Sequence, residues 1–195
     1  MTLRSPPQES IEKAVELAEK SLSLDDTRGR THGLLSFLYS LRGEHDTAIA
    51  EAERAVALDP GGADVHAYLG ASLLFADRPT EAIPLFEKAI RLNPFAPSWY
   101  FLDFGLCYRQ TGQYEEAITQ YKKALRIAPD NILAHLGLAG TYSVSGRHED
   151  ARAEVDKVLT INPRFSLESL AKILPFKNHA HLERTIEALR KAGLK

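Results

Sequence analysis

Seven histidines, one cysteine and 26 carboxylates are the groups of this 195-residue sequence with the most chemistry to offer, and their spacing limits its use. His32, His66 and His135 fall at one common offset of a repeating unit set out below, and His45 and His148 are equivalent in the same way. A side chain that recurs at one offset reads as packing, with metal ligation or catalysis as the alternative. His179 and His181 stand two apart on a helical pattern and point different ways, which makes them poor co-ligands. Cys107 lies between Leu106 and Tyr108 where a small buried residue is expected, so it reads as an inert core thiol. A single cysteine also excludes an internal disulfide and a cysteine-based zinc site. The carboxylates mostly stand beside basic residues, as in Glu51-Ala-Glu53-Arg54, and read as solvated surface. A phosphate-cradling glycine loop, Gly-x-Ser-x-Gly and His-Glu-x-x-His are all missing from the sequence. The expectation is a non-enzyme with no catalytic residue, no metal and no cofactor.

The elements that would position any of these groups come from a chain that is 44% hydrophobic, too apolar for a disordered tail. Its 24 basic and 26 acidic residues leave no overall basic footprint for nucleic acid. Residues 1 to 10 lack a signal-peptide pattern, and no run approaches the roughly 18 apolar residues of a membrane span. A soluble protein of a reducing, cytoplasmic compartment, without membrane insertion, is expected. Residues 166 to 195 carry Lys172, Lys177, Arg184, Arg190, Lys191 and Lys195 against Glu168, Glu183 and Glu187. With the signs interspersed this reads as a solvated face, attraction to an acidic partner being the alternative.

Prolines 60, 94, 129 and 163 are spaced by 34, 35 and 34 residues, and each closes the same phrase, from Ala-Val-Ala-Leu-Asp-Pro to Val-Leu-Thr-Ile-Asn-Pro. Two helical patterns fill each period. The turn between them opens with Gly43, Gly112 and Gly146 in three units, where a left-handed glycine can end the first helix. Asp77 takes that place in the second unit, and aspartate visits this conformation more readily than most residues. Ala48, Ala82, Ala117 and Ala151 mark the helix crossing, where backbones must approach. Tyr39, Leu73, Tyr108 and Tyr142 supply bulk on the first helix, and Ala52, Phe86, Tyr121 and Val155 face them from the second.

This pattern resembles the tetratricopeptide repeat family: Leu69-Gly70, Leu73, Ala82, Phe86, Ala89 and Pro94 match it in one unit, and Gly105, Tyr108, Ala117, Tyr121, Ala124 and Pro129 in the next. The fold expected from the resemblance is an all-α, right-handed superhelical solenoid. It is read as one domain over 1–195, with full repeats at 29–62, 63–96, 98–131 and 132–165 and Pro97 as the inserted residue. Ser36 and Ala139 stand where the family has glycine, which suggests slightly wider helix spacing there. In the family, the offset of His32, His66 and His135 holds a large, often aromatic residue, which supports the packing reading. Residues 9–28 match the second half of a unit, Ala14 and Ala18 falling one period before Ala48 and Ala52, as in a fragment of a longer array. Ile11, Val15, Leu17, Leu22 and Leu24 would leave that helix an apolar face on which a second copy could pair into a homodimer. Over 166–195, Ser166 and Asn178 can cap two helices, the second carrying the stripe Leu182, Ile186 and Leu189, and these are expected to cover the end of the stack. The segments Asn162-Pro-Arg-Phe-Ser-Leu-Glu, Ala171-Lys-Ile-Leu-Pro-Phe-Lys and Leu189-Arg-Lys-Ala-Gly-Leu, together with Asn93-Pro-Phe-Ala-Pro-Ser-Trp-Tyr and Tyr108-Arg-Gln-Thr-Gly-Gln-Tyr-Glu-Glu-Ala, are also similar to the C-terminal repeat region of bacterial class III adenylate/guanylate cyclases.

The resemblance places function in a concave face built by the first helices. The inward positions it implies here include Phe37, Tyr68, Leu74, Phe75, Trp99, Leu102, Leu106 and Arg109, taken as partner-binding residues, together with Arg30, Leu34, Asp103, Leu133 and Leu136. Only Arg30 and Arg109 could serve the Lys/Asn/Arg carboxylate clamp of the chaperone-binding members, so a clamp is not expected. An apolar groove suits a partner helix or an apolar peptide, which makes the chain a protein-interaction scaffold. The alternatives are a groove filled by the chain's own ends or by a second copy, and a regulatory or oligomerising segment of a bacterial nucleotide cyclase or similar signalling enzyme.

Overall fold

The computed structural model describes residues 7–24, 27–171 and 175–194. Lys172 and Lys195, counted above in the basic tail, lie outside them. The described residues form eleven helices and no strand: α1 (Pro7–Leu24), α2 (Gly29–Leu41), α3 (His45–Leu58), α4 (Ala63–Phe75), α5 (Pro79–Leu92), α6 (Ser98–Gln110), α7 (Tyr114–Ile127), α8 (Ile132–Val144), α9 (His148–Ile161), α10 (Leu167–Ala171) and α11 (His179–Lys191). Helices α2/α3, α4/α5, α6/α7 and α8/α9 pack as hairpins, and each hairpin packs on the next to make a helical solenoid.

Each inner helix is ended by the same device. Gly43, Gly112 and Gly146 have φ of 77°, 79° and 79°, and Asp77 follows them at 68°. The left-handed residue folds the next backbone N–H onto the carbonyl one turn back. Glu44 thus donates to Tyr39, Arg78 to Leu73, Gln113 to Tyr108 and Arg147 to Tyr142, at 2.8–2.9 Å. Carbonyls that a helix end would leave orphaned are satisfied, and the chain is turned for the outer helix.

The crossing alanines Ala48, Ala82, Ala117 and Ala151 are all fully buried. Volume is exchanged across the neighbouring contact. A Cβ on Gly70 would lie 2.9 Å from the Phe86 ring, and one on Gly105 2.8 Å from that of Tyr121. In the first and fourth hairpins the larger Ser36 and Ala139 are instead met by the smaller Ala52 and Val155, all of them buried. The larger residue in place of glycine is thus paired with a smaller one at the facing position.

Helix α1 packs on α2 as an outer helix would, with Val15 and Ala18 buried against Leu35 and Leu38. The Tyr39 hydroxyl donates to Glu19 at 2.7 Å and ties the two together. Leu17 and Leu24 on α1 remain exposed.

After α9 the period breaks. The side chain of Asn178 caps α11 by accepting from the Ala180 N–H at 3.0 Å, and Gly193, at φ 104°, ends it. Helix α11 packs on the inner helix α8, and its stripe bridges two cores. Leu189 and Ile186 join the cluster of α7 to α9, whereas Leu182 packs with the cluster of α4 to α6. The terminal helix therefore does more than cover the end of the stack: it runs back across the concave side as a strap.

Candidate functional site

The strap is held at four places, by Phe75, Asp77, Asp46 and Arg109. The Lys177 N–H donates to the carbonyl of Phe75 at 2.9 Å, and Phe176 packs on the Phe75 ring with centroids 5.8 Å apart. Asp77 accepts from Asn178 at 2.9 Å and pairs with His181 at 2.6 Å. The Lys177 ammonium lies 3.5 Å from Asp46, and Arg109 Nη2 donates to the Thr185 hydroxyl at 2.7 Å. Asp77, the residue that departs from the glycine rule, is thus the anchor for two strap residues. Glycine would have made the same turn without a carboxylate.

Between the strap and the inner helices lies a predominantly apolar cavity of about 430 Å³. It is lined by Phe37 from α2, Tyr68 and Phe75 from α4, and Trp99, Leu102 and Leu106 from α6. Leu34, Asp103, Leu133 and Leu136 also face it. Tyr68 and Trp99 stack at 5.3 Å, and Trp99 meets Tyr100 edge-on at 4.5 Å. The Tyr100 hydroxyl donates to Asp64 at 2.5 Å, which fixes α6 on α4; burial and that carboxylate push its ionisation well above the ordinary range.

Two expected groove residues stand elsewhere in role. Leu74 does not line the cavity: it is fully buried in the core with Phe86, Tyr100 and Phe104, because α4 is enclosed on more than one side. Arg109 lines the cavity, but its guanidinium is held by Thr185 of the strap and fills the space left by Gly140, whose Cβ would be 3.1 Å from Nη1. Arg30 is highly exposed and 3.6 Å from Asp64. The two basic groups therefore do not converge on one site.

The cavity also draws on residues that the repeat pattern did not assign to it, namely Leu41, Tyr121, Gly137, Leu170, Pro175, Phe176 and Thr185. The last four lie beyond the final repeat, where no periodic signal identifies an inward position. Among its charged walls, Asp103 differs from Arg109. Its residue is 8% exposed and no hydrogen bond or ion pair among the described residues reaches the carboxyl. Burial pushes that carboxyl up to about 7.

The histidines resolve into a structural motif. His32 Nδ1 lies 2.6 Å from Glu51 and His135 Nδ1 2.5 Å from Glu154, in both cases 19 residues along the chain. Nε2 of His66 and of His135 lies 2.9 Å from the carbonyl of Pro60 and Pro129, respectively, six residues earlier. One ring thus joins the end of the preceding unit to the outer helix of its own. In the second unit Leu85 replaces the glutamate and His66 Nδ1 is left buried without a partner; in the third the pair is Phe101 and Gln120. Glu51, half-buried, and Glu154, buried, are therefore partners of histidine, not plain surface. Their spacing of 19 residues from a histidine, present twice, was the available signal. Cys107 is fully buried, and burial pushes its thiol well above the ordinary range. Among the described residues no group of three or more His, Cys, Asp or Glu side chains is placed to hold a metal, and no helix is long and apolar enough to cross a membrane.

Comparison with known families agrees with this architecture. Models of the tetratricopeptide repeat match residues 41–97 and 132–157, and a TPR repeat model matches 105–144. The chain carries tetratricopeptide repeats. Human protein O-mannosyl-transferase TMTC1 is 23% identical over 167 residues, which is 83% of this chain but 19% of that protein. The chain therefore spans about a fifth of the length of that relative. Among solved structures, the type IV pilus biogenesis factor PilW superposes with a TM-score of 0.74 at 21% identity, covering 94% of this chain and 82% of PilW. YrrB, described as a TPR protein with an unusual peptide-binding site, superposes at 0.61 with 19% identity and 91% of each chain covered. At these identities the likeness shows the fold. Proteins built on this repeat mediate protein–protein interactions.

Proposed function

We propose that the chain is a non-catalytic scaffold that holds an apolar segment of a partner protein, as a helix or an extended peptide, in the concave cavity. The observation that carries this reading is the cavity itself, with Phe37, Tyr68, Phe75, Trp99, Leu102 and Leu106 converging on about 430 Å³ of mostly apolar space. A pocket of this size with a few polar groups is of the kind that buries ligand side chains. The peptide-binding site of YrrB is a supporting precedent on the same fold. The strap narrows the groove, so the partner contributes a few anchoring side chains there and does not fill the whole concave face.

The test is calorimetric titration with a partner segment. Aromatic anchors in desolvated pockets contribute about 2 kcal/mol or more. Trp99→Ala or Tyr68→Ala should weaken affinity by at least about 30-fold, and Phe95→Ala, at an almost fully exposed ring outside the cavity, should leave it unchanged. The reverse pattern would remove the groove from the account. A second reading, a regulatory segment of a signalling enzyme, rests on the cyclase resemblance expected from the sequence, whose segments include Phe176, Lys177 and Leu189 of the strap. If it holds, loss of the strap anchors should change the activity of the enzyme to which the repeats are joined.

A further inference from the structure

Trp99 and Asp103 are four residues apart on α6, one turn along the same face, and both line the cavity. Tyr68, stacked on Trp99, extends the aromatic surface from α4. Asp103 is therefore a carboxyl in a largely apolar, aromatic cavity, and among the described residues no hydrogen bond or ion pair reaches it; Arg109, the other charged group of the wall, donates to Thr185 instead. A buried carboxylate normally has such a partner, because its desolvation is otherwise uncompensated. The nearest basic candidate on its own helix, Arg109, is engaged by Thr185.

We propose that Asp103 is the counter-ion for a cation carried by the bound segment: a lysine or arginine side chain set among apolar residues of the partner. This inference rests on the groove reading above and adds the chemical class of segment that the groove selects. The long apolar stem of such a side chain suits the Leu102 and Leu106 walls, its charged end meets the carboxylate, and the Trp99 and Tyr68 faces supply favourable cation–π contact. An anionic side chain beside Asp103 would meet a like charge and is disfavoured at that point of the wall, the Arg109 guanidinium being held toward Thr185 and Gly140. Burial raises the carboxyl to about 7 in the absence of ligand; an arriving cation would restore its charged form.

Trp99 is the single tryptophan of the chain, so its fluorescence reports occupancy of this cavity directly. The probes are two acetylated, amidated pentapeptides, Leu-Leu-Lys-Leu-Leu and the same peptide with norleucine in place of lysine, and n-octylammonium. The full chain should bind the lysine peptide at least tenfold more tightly than the norleucine peptide, and Asp103→Asn should abolish that preference while still binding the norleucine peptide. Equal affinities in the unaltered protein, which need no variant, would overturn the counter-ion assignment and leave the groove reading intact. So would a lysine preference that survives in Asp103→Asn. A response to n-octylammonium alone would overturn the assignment of the cation to a peptide. No Trp99 response to any of the three would overturn the groove reading together with this one.

Discussion

Replacing Asp103 with asparagine should make the protein more stable, and increasingly so as the pH rises. The carboxyl moves from an ordinary value of 3.8 to about 7 through burial. Its folded-state pKa therefore lies above the unfolded one, and folding takes up a proton between those values. The contribution of the neutral group to stability is complete below about pH 4 and is lost as pH rises through 7. At about 1.36 kcal/mol per unit, the shift of roughly three units amounts to about 4 kcal/mol at high pH. Part of this has already been lost by pH 5, which leaves on the order of 2–3 kcal/mol between pH 5 and pH 8. Asparagine keeps the shape without titrating. Urea unfolding followed by circular dichroism at pH 5 and pH 8 should give Asp103→Asn an advantage that grows by about that amount. An advantage that stays constant with pH, or a variant less stable at pH 8, would refute the view of Asp103 as a buried carboxyl without a partner.

Gly70→Ala should destabilise by about 1–3 kcal/mol in chemical denaturation, because the new Cβ would stand 2.9 Å from the Phe86 ring in a packed core. Glu154→Leu, which copies the His66/Leu85 pairing into the fourth unit, should cost about 1.5–3 kcal/mol. A double-mutant cycle with His135→Phe should show that the two residues couple. Asp77→Gly should keep the α4 turn and release the strap, seen as faster amide exchange over residues 177–194 with the α2–α9 amides unchanged.

The period was legible because its causes are local and repeated. A left-handed turn residue, a small residue at the crossing and a ring beyond it recur wherever one hairpin must close and pack on the next, so Gly43, Ala48 and Phe86 have counterparts to compare. The apolar wall of the groove followed, since Phe37, Tyr68 and Trp99 sit on inner helices whose faces the repeat fixes. Leu74 shows the limit of that rule: a position that is inward in the resemblance is enclosed here by the packing around α4. The strap was not legible, because Phe176, Asn178 and Thr185 lie outside the period and their partners are 101, 101 and 76 residues away in Phe75, Asp77 and Arg109. Asp77 looked like a tolerated substitute for glycine until its carboxylate was seen to hold Asn178 and His181. Asp103 could be placed inward from the sequence, whereas its isolation depends on which side chains fail to reach it.

On the proposed reading the partner binds in the concave cavity. Site-specific photo-cross-linking in the native cell tests it most directly, with a benzophenone amino acid placed at Leu106 on the cavity wall or at Phe95 outside it. Position 106 should give one discrete protein adduct, lost when Trp99→Ala is added, and position 95 none. An adduct from position 95 that is indifferent to Trp99→Ala, with none from position 106, would contradict that reading.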